Sequence, residues 1–263
     1  MDAAHVLLVL GESAPWTPLS RPSLRFHVDL SRRTLVSGGV DSWTDHGPTA
    51  THATTATLGA GNRPPLLADA GDGLEAVDFR SGGTGKVLVA PFSKADLAFL
   101  HDGVSPWTIG ANVLLDPGET IEQVICATGA LTTAHAGILW CAMVVSAGFR
   151  MRLYYCDGTS TVQMMQTVVS APERAYYWLT FDPARSPKAR LFRNGVEVDE
   201  WDDSVPALAG ESQDYGLVLG QYAYTDRYRC SWRGRTLSIF DEALTDEQDV
   251  VGAANWAWSG GYL

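Results

Sequence analysis

The chain has 263 residues, 46% hydrophobic, 10% aromatic and 19% charged, a balance that belongs to a packed globular protein and excludes an extended disordered one. Its formal charge of −11 and isoelectric point near 4.9 argue against a nucleic-acid or anionic-lipid partner, because neutralising phosphate needs a basic face. No run approaches the roughly 18 apolar residues of a membrane-spanning helix.

Residues 1–23 read as an N-terminal arm, stiffened by Pro15, Pro18 and Pro22 ahead of the first strand-like run. Its apolar stretch, Val6 to Leu10, is short, follows Asp2 and has no early Lys or Arg, which makes a poor secretory signal. A protein of this kind that works outside a cell is expected to be made in the cytoplasm and to leave by lysis or a dedicated exporter. From residue 24 to 263 we expect one domain, since all-β chains of this length commonly share one core.

Runs rich in Val, Ile, Leu, Tyr and Trp, bounded by Gly, Pro, Asp and Asn, predict strands from end to end. In chain order they cover 24–30, 73–79, 85–91, 107–115, 122–129, 137–145, 149–156, 160–169, 175–182, 188–194, 195–201, 216–220 and 234–241. Between the first two, residues 31–72 mix Thr, Ala, Gly and Pro and read as a long surface connection. Asp157-Gly158 and Asn194-Gly195 predict tight hairpins, because both dipeptides tolerate the positive φ such turns need. One helix is expected late, in ALTDEQDVVGAANW, where Thr245 and Gln248 have capping-box spacing. The sum is an all-β fold: a two-sheet antiparallel β-sandwich, or jelly roll, with one short C-terminal helix.

The four cysteines, Cys126, Cys141, Cys156 and Cys230, include no C-x-x-C pair, and three sit inside apolar strand-like runs. They read as buried thiols and not as a zinc site or disulfide scaffold. The six His are scattered without H-E-x-x-H, no G-x-S-x-G occurs, and SGGTG at 81–85 precedes a strand and not a helix. We therefore assign no catalytic residue, expect no enzyme, and expect no cofactor.

Several stretches, in order, resemble the concanavalin A-like jelly rolls of the laminin-G type. WTDHG (Trp43 to Gly47) with His52-Ala53 is followed by AVDF at 76–79 and PWTIGANV at 106–113. Then come YWLTFDP at 177–183, the RLFRNGVEV hairpin at 190–198, Gly220, and WRGRTLSIFDEALTDEQ at 232–248. The resemblance spans about 24–250 and implies the jelly-roll fold, with functions ranging over lectins, adhesion modules, hydrolases and structural virion parts. Laminarinase-type hydrolases on this fold carry spaced acids on one strand, so Glu197 and Asp199 in GVEVDEW are the candidates for a catalytic pair. Trp201 stands where the third acid would be, and Val196 and Val198 are expected to face the core in register with Leu191, turning both acids to water. The fold also often holds calcium through loop carboxylates. Asp202, Asp203, Asp214 and Asp226 are the candidate ligands, but none has EF-hand spacing and solvated loop acids are the simpler reading.

The stretch most like a recognition surface is GQYAYTDRYRCSW at 220–232, where Tyr222, Tyr224, Asp226, Arg227, Tyr228 and Trp232 are the candidate ligand-binding residues. The alternative is a strand whose tyrosines pack on the sandwich. WAWSGGYL, with Trp256, Trp258 and Tyr262, reads either as a lid over a sheet edge or as a docking tail. The expected function is a non-catalytic module of a larger assembly, a bacteriophage-type virion or tail protein with a lectin-like domain. Its partners would be other assembly subunits, copies of itself and cell-surface glycan, and its place the virion. A free-standing lectin and a divergent glycosidase are the two alternatives.

Overall fold

A computed structural model describes residues 16–37, 39–48, 51–55, 63–80, 86–118, 123–128, 136–146, 148–157, 161–169, 174–202, 216–220 and 232–259. The strands are β1 (Leu24–Val36), β2 (Gly39–Asp45), β3 (Ala53–Thr54), β4 (Leu66–Leu67), β5 (Ala76–Asp78), β6 (Leu88–Ala90), β7 (Trp107–Leu115) and β8 (Gln123–Ala127). They continue as β9 (Ala136–Val145), β10 (Gly148–Asp157), β11 (Thr161–Val169), β12 (Ala175–Phe181), β13 (Ala189–Arg193), β14 (Val196–Trp201), β15 (Leu217–Leu219) and β16 (Trp232–Phe240). Two helices are described, the single turn α1 (Lys94–Leu97) and the longer C-terminal α2 (Glu247–Trp258).

All the strand pairs are antiparallel, and one hydrogen-bonded path runs β11-β10-β9-β8-β15-β6-β3-β2-β1-β16-β7-β12-β13-β14, with β5 joining β4 to β16. The path bends until its end strands, β11 and β14, lie against one another, so the sheet is nearly closed like a barrel. Its interior is one large apolar cluster in which Trp43, Trp107, Trp140, Phe26, Phe79 and Phe181 have almost no exposed surface. Burying side chains of this size contributes about 1.5–3 kcal/mol each.

Strand β12 shows how the sequence builds two layers. AYYWLTF is buried at all seven positions, with Tyr177, Leu179 and Phe181 in the main cluster and Tyr176 and Trp178 in a second cluster outside the sheet. Helix α2 covers that outer face through Val250, Ala253, Ala254, Trp256 and Ala257. Gly110, on the neighbouring β7, leaves the room that Trp178 occupies; a Cβ there would sit 2.6 Å from its ring. Part of the sequence assigned to the arm also docks here. Trp16 packs edge-on against Trp178 and Trp256 and donates from Nε1 to Asp249, over Gly252, where a Cβ would meet its side chain at 2.8 Å.

The structure corrects three expectations. The first concerns residues 31–72, which hold β2, β3, β4 and the end of β1, and Val40 and Trp43 are fully buried. The GVDSWTD strand escaped notice because its inward face is spread over small and polar residues. Helix α2 starts one residue later than the capping box required. Asp246 is its N-cap, with no side-chain cap bond, while its carbonyl accepts from the N–H groups of Asp249 and Val250. The capping box lies instead on α1, between Ser93 and Asp96. Finally, a bulge between Leu191 and Phe192 resets the register of β14, pairing Leu191 with Asp199 and Phe192 with Glu197. Val196 and Val198 are therefore exposed, and Trp201 is the β14 residue that packs on the core.

Candidate functional site

Because Leu191 and Phe192 are adjacent on β13, their partners Asp199 and Glu197 lie on opposite faces of the sheet. The two carboxylates do not converge. Glu197 sits 3.8 Å from Arg190, and Asp199 has its pKa raised by burial beside Leu191. Asn194 (φ 51°) and Gly195 (φ 83°) form the positive-φ turn the sequence predicts, and the turn packs against Val251 of α2.

Polar groups gather at two places. The first lies under α2 and is closed to solvent. Asp45, from the WTDHG stretch, accepts hydrogen bonds from the N–H groups of His27 (2.9 Å), Gly47 (2.6 Å) and Thr51 (3.0 Å), fastening the turn after β2 to β1. Beside it, His27 places Nδ1 2.8 Å from Ser238 Oγ and Nε2 3.3 Å from Asp29. His46 Nε2 lies 3.3 Å from the other Asp29 oxygen, which also accepts from Ser31. Burial lowers the His27 pKa, while His27, His46 and Ser31 hold Asp29 far below the usual carboxylate range against its own desolvation. A serine, histidine and aspartate in line suggest a nucleophile triad. However, His27, Asp29 and Ser238 have no exposed surface, and the edge of Trp256 packs on the His27 ring. Its geometry fastens β1, β2 and β16 together.

The second place is open. Strand β5 is preceded by the loop ADAGDGL, in which Asp69 accepts from the N–H groups of Gly71 and Gly73 (2.7 and 2.8 Å) and Ala70 donates to the Leu74 carbonyl. These bonds hold the Asp69 carboxyl below its ordinary range and fix a tight loop with positive φ at both glycines. The loop forms one wall of a cleft of about 480 Å³, with Leu114, Leu115 and Pro117 at the end of β7 opposite and Trp258 at the end of α2. Two arginines complete it. Arg174, just before β12, is buried and pairs with Asp72 (2.6 and 3.2 Å) and with Asn112 Oδ1 (3.2 Å). Arg233, on β16, donates to the Ala70 carbonyl, and its Nε is covered without a partner. Trp258 is 45% exposed, its Nε1 3.2 Å from Asn194 Oδ1. An aromatic face, apolar walls and fixed polar groups are what a small-molecule site needs.

Of the residues expected to bind ligand, Tyr222, Tyr224, Asp226, Arg227 and Tyr228 lie outside the described residues. Trp232 is the first residue of β16, its backbone paired with Leu115 and followed directly by Arg233 in the cleft wall. The sequence reading missed Arg233, Arg174 and the ADAGDGL loop. The only signal was the glycine-flanked acid pair, which lay partly in the segment read as surface connection. The tryptophan pair resolves clearly: Trp256 is buried under the helix, and Trp258 is exposed at the cleft. Tyr262 lies outside the described residues. Among the calcium candidates, Asp202 is exposed and accepts from Ser186 (2.6 Å), while Asp203, Asp214 and Asp226 are outside the described residues. No group of three or more His, Cys, Asp or Glu is placed to hold a metal among the described residues. Cys126 and Cys141 are buried, as expected, and burial pushes the Cys126 pKa up to about 12.

The fold is mostly β, one antiparallel sheet nearly closed on itself with a single longer helix at its C-terminal end. It is similar to Trypanosoma rangeli sialidase (TM-score 0.58, 11% identity, 90% of this chain and 33% of that one). It is also similar to the binding domain of botulinum neurotoxin DC, solved with rat synaptotagmin II (TM-score 0.58, 10% identity, 89% and 51%). A third likeness is to botulinum neurotoxin type C, from work on cell entry through two ganglioside molecules (TM-score 0.56, 9% identity, 89% and 51%). The chain thus spans a third to a half of these proteins, and at such identities the likeness is one of fold alone. No sequence family and no curated protein matches the chain. Among the described residues, no helix is long and apolar enough to cross a membrane.

Proposed function

We propose that this protein is a non-catalytic carbohydrate-binding module, a concanavalin A-like jelly roll of the laminin-G type, that takes a glycan in the cleft between the ADAGDGL loop and Trp258. The observation that carries the reading is the cleft itself: an exposed indole beside fixed hydrogen-bonding groups, on a fold whose neighbours include a sialidase and a ganglioside-dependent toxin. Sugars stack their apolar faces on aromatic rings while their hydroxyls need polar partners. The segment Tyr222 to Tyr228, which precedes Trp232 in the sequence, is proposed as a second contact surface. The two-sheet packing of a jelly roll over 24–263, and a setting in a bacteriophage-type virion where many copies raise avidity, are the finer parts of the proposal. The ordered landmarks from WTDHG to the acidic start of α2 support the first of these.

The test is a glycan array followed by calorimetry on the hits. Trp258→Ala should weaken sugar binding at unchanged melting temperature, since the ring is half exposed. Alanine changes at Tyr222, Tyr224, Arg227 and Tyr228 test the second surface. Glycan binding that survives Trp258→Ala undiminished would place the site elsewhere, and release of reducing sugar from a bound glycan would make the protein an enzyme.

A further inference from the structure

We propose that the ligand of this cleft is an acidic sugar whose carboxylate is received by Arg233, an inference that rests on the glycan reading above. The other cations of this region already have carboxylate partners. Arg174 is paired with Asp72, and Arg80 grips Asp78 with two hydrogen bonds (2.7 and 2.9 Å) and lies 3.7 Å from Asp116. Arg233 is different. It has one carbonyl partner in Ala70, a covered Nε with none, and no ion pair among the described residues. Its pKa is pulled down by desolvation and by the charge of Arg80, while Asp116, Asp78 and Asp72 offset that only from beyond ion-pair reach. An under-partnered guanidinium among Leu74, Leu114 and Leu115 gains more from an incoming anion than one in water would, because the apolar walls weaken screening.

The preference for carboxylate follows from shape. A planar guanidinium matches the two oxygens of a carboxylate better than a compact ammonium does. The −11 charge of the chain repels free anions at long range, so selection must come from contact inside the cleft and not from steering. A sugar that presents a ring face to Trp258 and a carboxylate to Arg233 would use both features of the site together. A phosphate or sulfate would use only the second.

The experiment compares sialyllactose, its carboxyl methyl ester, lactose and a sulfated lactose by calorimetry on the full chain. The expected result is that sialyllactose binds, and that the ester, lactose and the sulfated sugar are each weaker by about tenfold or more, the scale of one charge-assisted hydrogen bond. Arg233→Gln should bring sialyllactose down to the level of lactose, with Arg233→Lys in between. Because Arg233→Gln alters a half-buried contact, its melting temperature is read alongside, and the ester comparison on the unaltered protein stands whether or not the variant folds. Equal binding of sialyllactose, ester and lactose would overturn the carboxylate assignment and leave the glycan reading standing. Equal binding of the sulfated sugar would overturn it in favour of a general anion site. No binding of any of the four, together with an empty glycan array, would sink the glycan reading and this inference with it.

Discussion

At the scale of the residue, Asp45 does more than any catalytic-looking group in the chain. One buried carboxylate receives three backbone N–H groups, those of the fully buried His27 and of Gly47 and Thr51 in a half-buried turn, and removing it breaks all three bonds. Each unsatisfied buried donor costs about 1–3 kcal/mol, so Asp45→Ala should lower stability by about 3 kcal/mol or more in urea unfolding, and a loss under 1 kcal/mol would show that water replaces it. Gly195 is the second such residue. At φ 83° a β-branched side chain is strained, and its Cβ would meet Val251 at 3.5 Å, so Gly195→Val should destabilise both the hairpin and its seat on α2. Asp199 points the other way. Burial raises its pKa, so the folded state binds its proton more tightly than the unfolded chain does, and its charged form opposes folding above that pKa. Asp199→Asn should leave the protein at least as stable at pH 7; marked destabilisation would show that the carboxylate has a charged partner.

At the scale of the element, the strands with a two-residue rhythm or continuous apolar runs were legible in the sequence: β7, β9, β10 and β12 match their expected limits within a residue or two. β7 and β12 announce themselves because both faces are covered, and β10 because buried Phe149, Met151, Leu153 and Tyr155 alternate with half-buried Arg150, Arg152 and Tyr154. β2 was not legible, since only Val40 and Trp43 carry its large apolar surface and Thr, Asp and Ser fill the rest. The face of β14 was misread for a different reason. A bulge is set by where the edge strand finds its core contact, here Trp201, and period-two counting from the turn cannot see it. The cleft was legible only at its margin, through Trp258 and Trp232, because Arg174, Arg233 and the ADAGDGL loop come from distant parts of the chain and meet only after folding. Helix α2 ties these parts together. Trp256 fills the space between Trp16 and His27, so Trp256→Ala should cost about 3–5 kcal/mol by opening a cavity, checked by urea midpoint; a smaller loss would mean that Trp16 collapses into the gap.

At the scale of the whole molecule, the distribution of perturbed groups sets how the fold responds to acid. His27 has its pKa lowered by burial, so the unfolded chain binds a proton that the folded one refuses, and stability is lost as pH falls through the ordinary histidine value near 6.5. Asp29, Asp41, Asp69, Asp72 and Asp96 are all held below their ordinary value, so each contributes stability that disappears only as pH falls below about 4. Two windows result. Between pH 7 and 5 the decline should belong largely to the His27 site, with a limiting slope of about 1.4 kcal/mol per pH unit for one proton, and below pH 4 the carboxylates should take over. The buried arrangement explains why the first window opens so early: a charged His27 would face Asp29 favourably, but also His46 across 5.5 Å and the edge of Trp256 with no water to solvate it. Urea midpoints at pH 8, 7, 6, 5 and 4 measure this directly, and His27→Gln, which cannot titrate, should flatten the first window while leaving the second. A midpoint that holds steady or rises from pH 7 to 5 would mean that Asp29 wins the contest, that His27 is protonated in the fold, and that this cluster is an ion pair instead of a neutral buried network.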